Sequence, residues 1–226
     1  MKKAPTKTAK TTISKPSKFR LNYKTVAVNL GGLGVFLGIL YFIIYLQYYQ
    51  TPAAYKVQFV TTKGNFTVEV NSGQAPNAAD RFYKLVTTGY YNNSPIFRVV
   101  PGFVCQFGVN PDPKVTGQWQ DRFFKADPMM ANNTAGTIDF ATSSDKKGAA
   151  QVFINYVDST ALDQRDFAPF GKVIEGMDVV KNFYSYGEIA PKGKGPDESK
   201  LITEGAAYAK KSYPKMDYIK TATIIP

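Results

Sequence analysis

Histidine is absent from all 226 residues of the sequence, and Cys105 is its single cysteine. These two deficits exclude several kinds of active site. A Ser-His-Asp or Cys-His nucleophilic site needs an imidazole base, and a His-containing zinc or haem site needs an imidazole ligand. A lone cysteine also excludes an intrachain disulfide. We therefore expect chemistry without histidine-mediated proton transfer, and we predict no metal ion and no other cofactor.

Acidic residues are missing from the first 68 positions, and Glu69 is the first of them. Eight of the 28 basic residues lie in residues 1–24, so the rest of the chain holds 20 basic and 17 acidic side chains. The net charge of +11 is thus concentrated in the tail, which we expect to be disordered. Because the remainder is nearly balanced, we predict no nucleic-acid partner.

A long apolar run follows this tail, and residues 26–49 contain no charged side chain. At about 1.5 Å per residue, such a helix spans a hydrocarbon core of about 30 Å. We predict a transmembrane helix over residues 25–49 in contact with the lipid bilayer, and a linker over residues 50–54. One alternative is a buried core helix, which is rarely apolar on all faces. The other is a cleaved signal peptide, whose apolar run is shorter and ends at small residues rather than at tyrosines.

The charge flanking this run predicts a single-pass topology with the N-terminus in the cytoplasm and the remaining domain across the membrane. Gly34 and Gly38 have the small-xxx-small spacing of a contact between membrane helices. Asn65, Asn92 and Asn132 each begin a glycosylation sequon, which favours a secretory lumen. The acid-free tail is also compatible with an organellar transit sequence, so the choice of membrane stays open.

The segment from residue 55 to residue 226 contains many short strand patterns and few helical ones. Residues 57–60 and 65–70 predict a hairpin across Gly64. One helix is predicted after Asn77, which we take as its N-cap, and it ends at Gly89. A second helix is predicted over residues 177–184. Many short strands separated by polar loops indicate a closed barrel rather than a parallel α/β sheet.

The segment FRVVPGFVCQFG, residues 97–108, carries the most informative pattern. It places Arg98 in an apolar strand, follows it with a Pro-Gly bend, and puts Val104 and Gln106 on one face of a second strand. An arginine in such a strand is either a surface or ion-paired residue or a functional one. Cys105 lies in an apolar run, so we predict a buried small hydrophobe without a chemical role.

This segment resembles the F-x-R-x-x-P-G-F-x-x-Q-x-G motif of the cyclophilins, and the resemblance covers most of residues 55–225. Further segments resemble cyclophilin motifs in the same order: GTIDFA at 136–141, QVFIN at 151–155, LD at 162–163, FAPFGKV at 167–173 and EGMDVV at 175–180. The Phe-Gly-Val after Gln106 and the tail over residues 195–219 resemble the bacterial-type branch of that family.

The resemblance implies a mainly β fold, a closed antiparallel barrel with short flanking helices. It also implies peptidyl-prolyl cis-trans isomerase activity on X-Pro bonds of protein substrates. Together with the predicted transmembrane helix, this predicts a membrane-tethered folding catalyst. Arg98, Gln106 and Phe103 are implied to be catalytic, with Arg98 donating hydrogen bonds to the substrate, including the prolyl nitrogen as the amide twists. The substrate-binding residues implied are Val104, Ala141, Thr142, Phe153 and Leu162.

The sequence departs from the family pattern in four places. Val104 replaces the usual methionine, Thr142 the asparagine after the alanine, and Ala161 the tryptophan before Leu-Asp. The histidine found later in many members falls in the region of Asp166 and Phe167. Val104 shortens one wall of the implied pocket. Ala161 removes an indole associated with binding of cyclosporin, so we predict weak inhibition by that macrocycle. The alternative function is a catalytically idle cyclophilin-like subunit that docks within a membrane complex, because a fold alone does not establish activity.

Overall fold

The computed structural model describes residues 35–41, 51–142 and 147–226. The chain separates into two compact units, Met1–Gln50 and Thr51–Pro226. In the first unit, residues 35–41 are helical and form α1. Across the described ranges, no helix combines the length and the apolar composition that a membrane crossing requires. The predicted basic tail, Gly34 and the rest of the predicted transmembrane helix lie outside these ranges.

The second unit consists of nine strands and five helices along the part of the chain that the structure describes. The strands are β1 (Ala54–Thr61), β2 (Asn65–Asn71), β3 (Ile96–Val100), β4 (Val104–Phe107), β5 (Phe124–Lys125), β6 (Thr137–Thr142), β7 (Lys147–Asn155), β8 (Gly171–Glu175) and β9 (Ile219–Ile225). The helices are α2 (Pro76–Thr87), α3 (Pro113–Gln120), α4 (Thr160–Asp163), α5 (Met177–Lys181) and α6 (Glu198–Ser212).

The strands form one antiparallel sheet in the order β3-β4-β7-β6-β8-β2-β1-β9, with β5 paired to β7. Its two ends are joined beside Pro95 and Tyr218, which form an isolated bridge. Next to it, the N–H of Ile96 donates to the carbonyl of Asp217, and the N–H of Ile219 donates to that of Ser94, both at 2.9 Å. The mainly β antiparallel fold is confirmed. The predicted closure is only partial, because a bridge rather than a full ladder joins β3 to β9.

Helix α2 begins at Pro76, a residue whose missing N–H costs nothing in the first turn. Its apolar face packs into the barrel core through Ala78, Ala79, Phe82, Leu85 and Val86. The prediction that Asn77 is the N-cap was wrong: the cap position is Ala75, whose side chain cannot accept a hydrogen bond. The backbone N–H groups of Asn77 and Ala78 donate instead to the buried carboxylate of Asp127.

Aromatic side chains fill the core between this helix and the sheet. Phe59 of β1 stacks on Phe66 of β2 with ring centroids 4.6 Å apart, and Phe59 meets Phe107 of β4 edge-on at 5.6 Å. The edge-on contact joins the β1–β2 hairpin to β4 across the interior. Large rings of this kind contribute most of the apolar surface that a small barrel buries.

Helices α3 and α6 were not predicted, and they pack against each other on the outside of the barrel. The buried residues of α6 are Leu201, Gly205 and Ala209, a stripe at a spacing of four that crosses a kink, because the backbone of Gly205 is not helical and joins two helical segments. Small residues at two of the three positions made this stripe too weakly apolar to predict a helix. Gly205 lies at φ +60°, where a Cβ would collide with the backbone of Pro111, so close packing against α3 needs glycine here.

Candidate active site

The site begins as a cross-strand pair on the β3–β4 hairpin, whose strands meet at the Pro-Gly bend. The register places Arg98 opposite Gln106 and Val100 opposite Val104. Neighbouring side chains on paired strands interact directly. Here the Nη1 of Arg98 donates to the Oε1 of Gln106 at 2.9 Å. The predicted common face of Val104 and Gln106 is found in the structure, because both residues line one cavity.

Strand β7 brings Phe153 beside this pair, since the register opposes Gln106 to Phe153. Next to them opens a cavity of about 210 Å³. All eight residues that the sequence predicted for catalysis and substrate binding line this cavity: Arg98, Phe103, Val104, Gln106, Ala141, Thr142, Phe153 and Leu162. Arg165 and Phe167, which the sequence analysis did not select, complete the lining. The structure therefore assembles the predicted set, whose individual roles stay predictions.

One wall of the cavity is apolar. Val104, Phe153 and Leu162 form a small cluster of buried side chains, separate from the main core, with Phe103, Ala141 and Phe167 packed against it. Phe153 and Phe167 meet edge-on with ring centroids 5.5 Å apart. Such a pocket suits a compact apolar ring.

The position of Leu162 in this wall depends on the loop that carries α4. Asp163 accepts hydrogen bonds from the backbone N–H of Asn133 at 2.7 Å and from its side-chain Nδ2 at 2.9 Å. The same Nδ2 donates to the carbonyl of Phe167 at 3.1 Å. Asn133 thus connects both ends of the loop and holds Leu162 and Phe167 on the same side of the cavity.

The opposite wall is polar and centres on Arg98. Its Nε and Nη2 donate to the two carboxylate oxygens of Glu188 at 2.6 and 2.7 Å. These hydrogen bonds hold the pKa of the Glu188 carboxyl below its usual range. In its hydrogen bonds to other described residues, Arg98 uses three of the five N–H groups of its guanidinium. Two N–H groups are left for a peptide in the cavity.

A second cavity, of about 420 Å³, lies on the other side of Gln106. Gln106, Ala141 and Thr142 line both cavities. The Nε2 of Gln106 donates to the Oε1 of Gln151 at 2.8 Å, and the Nε2 of Gln151 donates to Glu198 at 2.7 Å. An extended substrate could therefore contact both cavities while its backbone passes Gln106.

Two of these polar residues were missed by the sequence analysis. Glu188 lies outside the cyclophilin-like segments, and Glu198 lies within the tail over residues 195–219, where the resemblance assigns it no role. They are 90 and 47 residues from their partners. No local signal could have found them. Within the described ranges, no group of three or more His, Cys, Asp or Glu side chains could hold a metal ion. The residues that line the cavity offer hydrogen bonds, charge and an apolar surface.

Comparison with known proteins identifies the family. Residues 56–202, well over half of the chain, match the family model of the cyclophilin type peptidyl-prolyl cis-trans isomerase. The chain belongs to the cyclophilin-type peptidyl-prolyl cis-trans isomerase family. The matched range of this cyclophilin contains the hairpin, the apolar wall and both carboxylates.

Curated relatives of this cyclophilin include bacterial and fungal proteins. It is 38% identical over 129 residues to peptidyl-prolyl cis-trans isomerase A of Dickeya dadantii, covering 54% of this chain and 67% of that protein. It is 34% identical over 165 residues to a peptidyl-prolyl cis-trans isomerase of Acinetobacter baylyi, covering 70% and 80%. Peptidyl-prolyl cis-trans isomerase-like 1 of Aspergillus niger is 32% identical over 131 residues, covering 55% and 78%. These similar values do not distinguish a bacterial-type branch, which stays a prediction.

Solved structures support the fold. A cyclophilin type peptidyl-prolyl cis-trans isomerase of Cryptosporidium parvum superposes with a TM-score of 0.57 at 23% identity, covering 76% of this chain and 98% of that one. A second structure of the same protein, solved in the presence of the dipeptide Ala-Pro, gives a TM-score of 0.56 at 24% identity, covering 76% and 99%.

Proposed function

We propose that this cyclophilin catalyses cis-trans isomerisation of X-Pro bonds in proteins and peptides, with the cavity of about 210 Å³ as its active site. The observation that carries the proposal is the position of Arg98. It faces a cavity whose other wall is the apolar cluster of Val104, Phe153 and Leu162. A donor opposite an apolar pocket is the pairing that an X-Pro segment requires, because the proline ring is apolar and its flanking groups accept hydrogen bonds.

The proposed mechanism needs neither a base nor a metal ion. Rotation about an X-Pro bond is slow because amide resonance must be broken, at a barrier of about 20 kcal/mol. When the amide twists, its nitrogen loses conjugation and becomes a better hydrogen-bond acceptor. A donor fixed beside that nitrogen binds the twisted state more strongly than either planar state, and this difference lowers the barrier.

Each predicted residue has a place in this mechanism. Val104, Phe153 and Leu162 hold the proline ring, and Phe103 covers the guanidinium, whose carbon lies 5.5 Å from the ring centroid. Arg98 donates to the substrate. Gln106 and the backbone of Ala141, with Thr142 beside it, bind the residue before the proline, so that rotation occurs on one side of a fixed ring. That a Cryptosporidium relative was solved in the presence of Ala-Pro supports this substrate class.

The test compares the full-length protein with its Arg98→Ala and Arg122→Ala variants in an X-Pro peptide isomerisation assay. We expect the wild type to accelerate exchange and Arg98→Ala to lose about 100-fold in kcat/KM, the usual effect of removing a transition-state donor. Arg122 is an exposed arginine outside the cavity, so its variant should keep the wild-type rate. A folded wild type that adds nothing to the uncatalysed rate would favour the docking subunit without isomerase activity.

We also propose that residues 25–49 anchor the enzyme in a membrane, with the N-terminus in the cytoplasm and the catalytic unit on the opposite side. The absence of charge over residues 26–49 and the basic flank before them support this topology. Gly34 and Gly38 are proposed to contact a second membrane helix. Resistance of the full-length chain to alkaline carbonate extraction tests the anchor, and a variant lacking residues 25–49 should be released.

The side of the membrane is tested by glycosylation in a secretory compartment, the location that we propose over an organellar one. Asn65 and Asn132 are exposed, whereas the side-chain oxygen of Asn92 accepts the N–H of Ala222 at 3.1 Å. A luminal domain should therefore carry glycans at Asn65 or Asn132 rather than at Asn92. An endoglycosidase shift lost in the Thr67→Ala and Thr134→Ala double variant supports the lumen, and an unmodified chain contradicts it.

A further inference from the structure

The polar contacts around Arg98 form one continuous chain of five side chains. It runs from Glu188 to Arg98, on to Gln106, then to Gln151, and it ends at Glu198, with every donor-acceptor distance between 2.6 and 2.9 Å. We call these five residues the polar chain. Both of its ends are carboxylates.

Both carboxylates come from one part of the molecule, the connection between α5 and β9, residues 182–218. The inner three residues lie on barrel strands β3, β4 and β7. The connection is itself anchored: Leu201 and Ala209 of α6 are buried with Phe97 and Val109 in a cluster separate from the main core. The two carboxylates are therefore presented by a packed segment rather than by free side chains.

Arg98 and Glu198 together allow only one direction of hydrogen bonding through the two glutamines between them. Arg98 has only donors, so Gln106 must face it with its amide oxygen. The nitrogen of Gln106 then points to Gln151, which must accept through its own oxygen. The nitrogen of Gln151 consequently points outward, where an acceptor is required, and Glu198 is that acceptor. An acceptor in place of Arg98, or a donor in place of Glu198, would require the amides of both Gln106 and Gln151 to turn.

Glu188, the end of the polar chain next to Arg98, fixes the plane of the guanidinium. Glu188 holds Nε and Nη2 together, and a paired contact of this kind is directional as well as strong. Arg98 and Glu188 are only 19% and 31% exposed at their side chains, so water competes weakly for the contact. With that edge occupied and Nη1 bound to Gln106, one N–H group remains on each of Nη1 and Nη2.

We propose that Glu188 and Glu198 are positioning residues through which the α5–β9 connection orients Arg98 and Gln106 toward the X-Pro substrate. The inference rests on the proposed isomerase function. In this positioning role, Glu188 acts directly on Arg98, and Glu198 acts through Gln151 on the amide of Gln106. Neither carboxylate lines the smaller cavity, so neither is assigned a contact with the reacting bond.

The first test is Glu188→Gln in the full-length protein. A glutamine offers one acceptor oxygen where the carboxylate offers two, so the paired contact is lost at nearly constant size. We expect kcat/KM to fall about tenfold, mainly through kcat, because the donors of Arg98 are no longer fixed for the twisted amide. The Arg98→Ala, Glu188→Gln double variant should be no slower than Arg98→Ala alone. Wild-type or faster exchange by Glu188→Gln, or an equal loss in the Arg98→Ala background, overturns the proposal.

The second test replaces Glu198, the end of the polar chain next to Gln151. Glu198→Gln keeps an acceptor, so we expect it to retain activity within about threefold, whereas Glu198→Lys presents only donors to Gln151 and should lose about tenfold. The matched control is Glu204→Lys, the same charge reversal at an exposed position of the same helix. Equal rates for Glu198→Lys and Glu204→Lys contradict a role for Glu198.

An NMR readout separates this inference from the proposed function. The Nε–H of Arg98 should give a slowly exchanging resonance in the wild type, identified by its absence in Arg98→Lys, and Glu188→Gln should abolish the slow exchange.

If the wild type proves inactive, the isomerase proposal fails, and the affinity of the variants for an Ala-Pro peptide then tests the positioning role. Binding weakened by Glu188→Gln but not by Glu204→Gln supports it, and equal binding rejects it.

Discussion

The carboxylate of Asp127 accepts a hydrogen bond from the backbone N–H of Ala78 at 2.9 Å, across 49 residues of sequence. Its other oxygen accepts the N–H of Asn77 at 3.1 Å. The first N–H groups of a helix have no partners within the helix, and a carboxylate there also interacts favourably with the helix dipole. A residue from the loop after β5 therefore caps α2, the helix that covers one side of the core.

Replacing this cap should destabilise the protein without touching the active site. We expect Asp127→Ala to lower the free energy of unfolding by about 1–2 kcal/mol, the usual cost of losing an N-cap, with two donors left unpaired. Urea denaturation measures the effect. Asp121→Ala, at an exposed position in the same region, serves as the control and should stay within about 0.5 kcal/mol of the wild type. Equal stability of the two variants would show that the remote cap contributes nothing.

Asp139 should make stability depend on pH. It is 1% exposed on β6, and burial, with a smaller contribution from the charge of Asp163, raises its pKa well above the usual range. Its stabilising contribution is therefore complete below the unfolded-state pKa of about 3.9 and is lost as pH rises toward the folded-state value, at up to about 1.4 kcal/mol per pH unit.

The measurement compares unfolding of the wild type and Asp139→Asn between pH 3.5 and pH 7. We expect the asparagine variant to be more stable than the wild type at pH 7 by at least about 1 kcal/mol, and the difference to shrink toward pH 3.5, because an amide does not ionise. A constant difference across this range would show that Asp139 titrates alike in the folded and unfolded states.

Cys105 should resist thiol reagents in the native protein. It is completely buried, and burial raises its pKa to about 12, so the thiolate that reacts is scarce at pH 8. We expect labelling by a disulfide reagent to be at least about 100-fold slower in buffer than in urea. A Ser212→Cys variant, with a second thiol at an exposed position, should react at once with one equivalent. Fast labelling of native wild type would contradict the buried, unreactive assignment.

Ala161 should limit inhibition by cyclosporin. It is an exposed residue of α4 next to Leu162, which lines the candidate active site, and the family pattern has a tryptophan at this position. We expect weak inhibition of the wild type, and Ala161→Trp should tighten the inhibition constant at least about tenfold, or about 1.4 kcal/mol. Thr160→Trp adds the same side chain one residue earlier and should not help. Strong inhibition of the wild type would contradict the prediction.

The sequence by itself determined much of the hairpin and its chemistry. The Pro-Gly bend and the alternation after it predict that Val104 and Gln106 share a face, and Arg98 is only eight residues from Gln106 along the chain. Strand existence was likewise predictable, because alternation along one strand is a local property of the backbone. The order of the cyclophilin-like motifs led to the family, to the mainly β fold and to eight of the ten residues that line the cavity.

Only the tertiary structure decided which distant groups complete these local features. Asp127 replaces the predicted cap of α2, α6 forms on a weak stripe of small residues, and Glu188 reaches Arg98 from 90 residues away. None of these has a local signature, because a carboxylate binds whichever donors the fold brings within about 3 Å. Sequence patterns report what each segment buries on its own, whereas the pairing of buried polar groups depends on the arrangement of the whole chain.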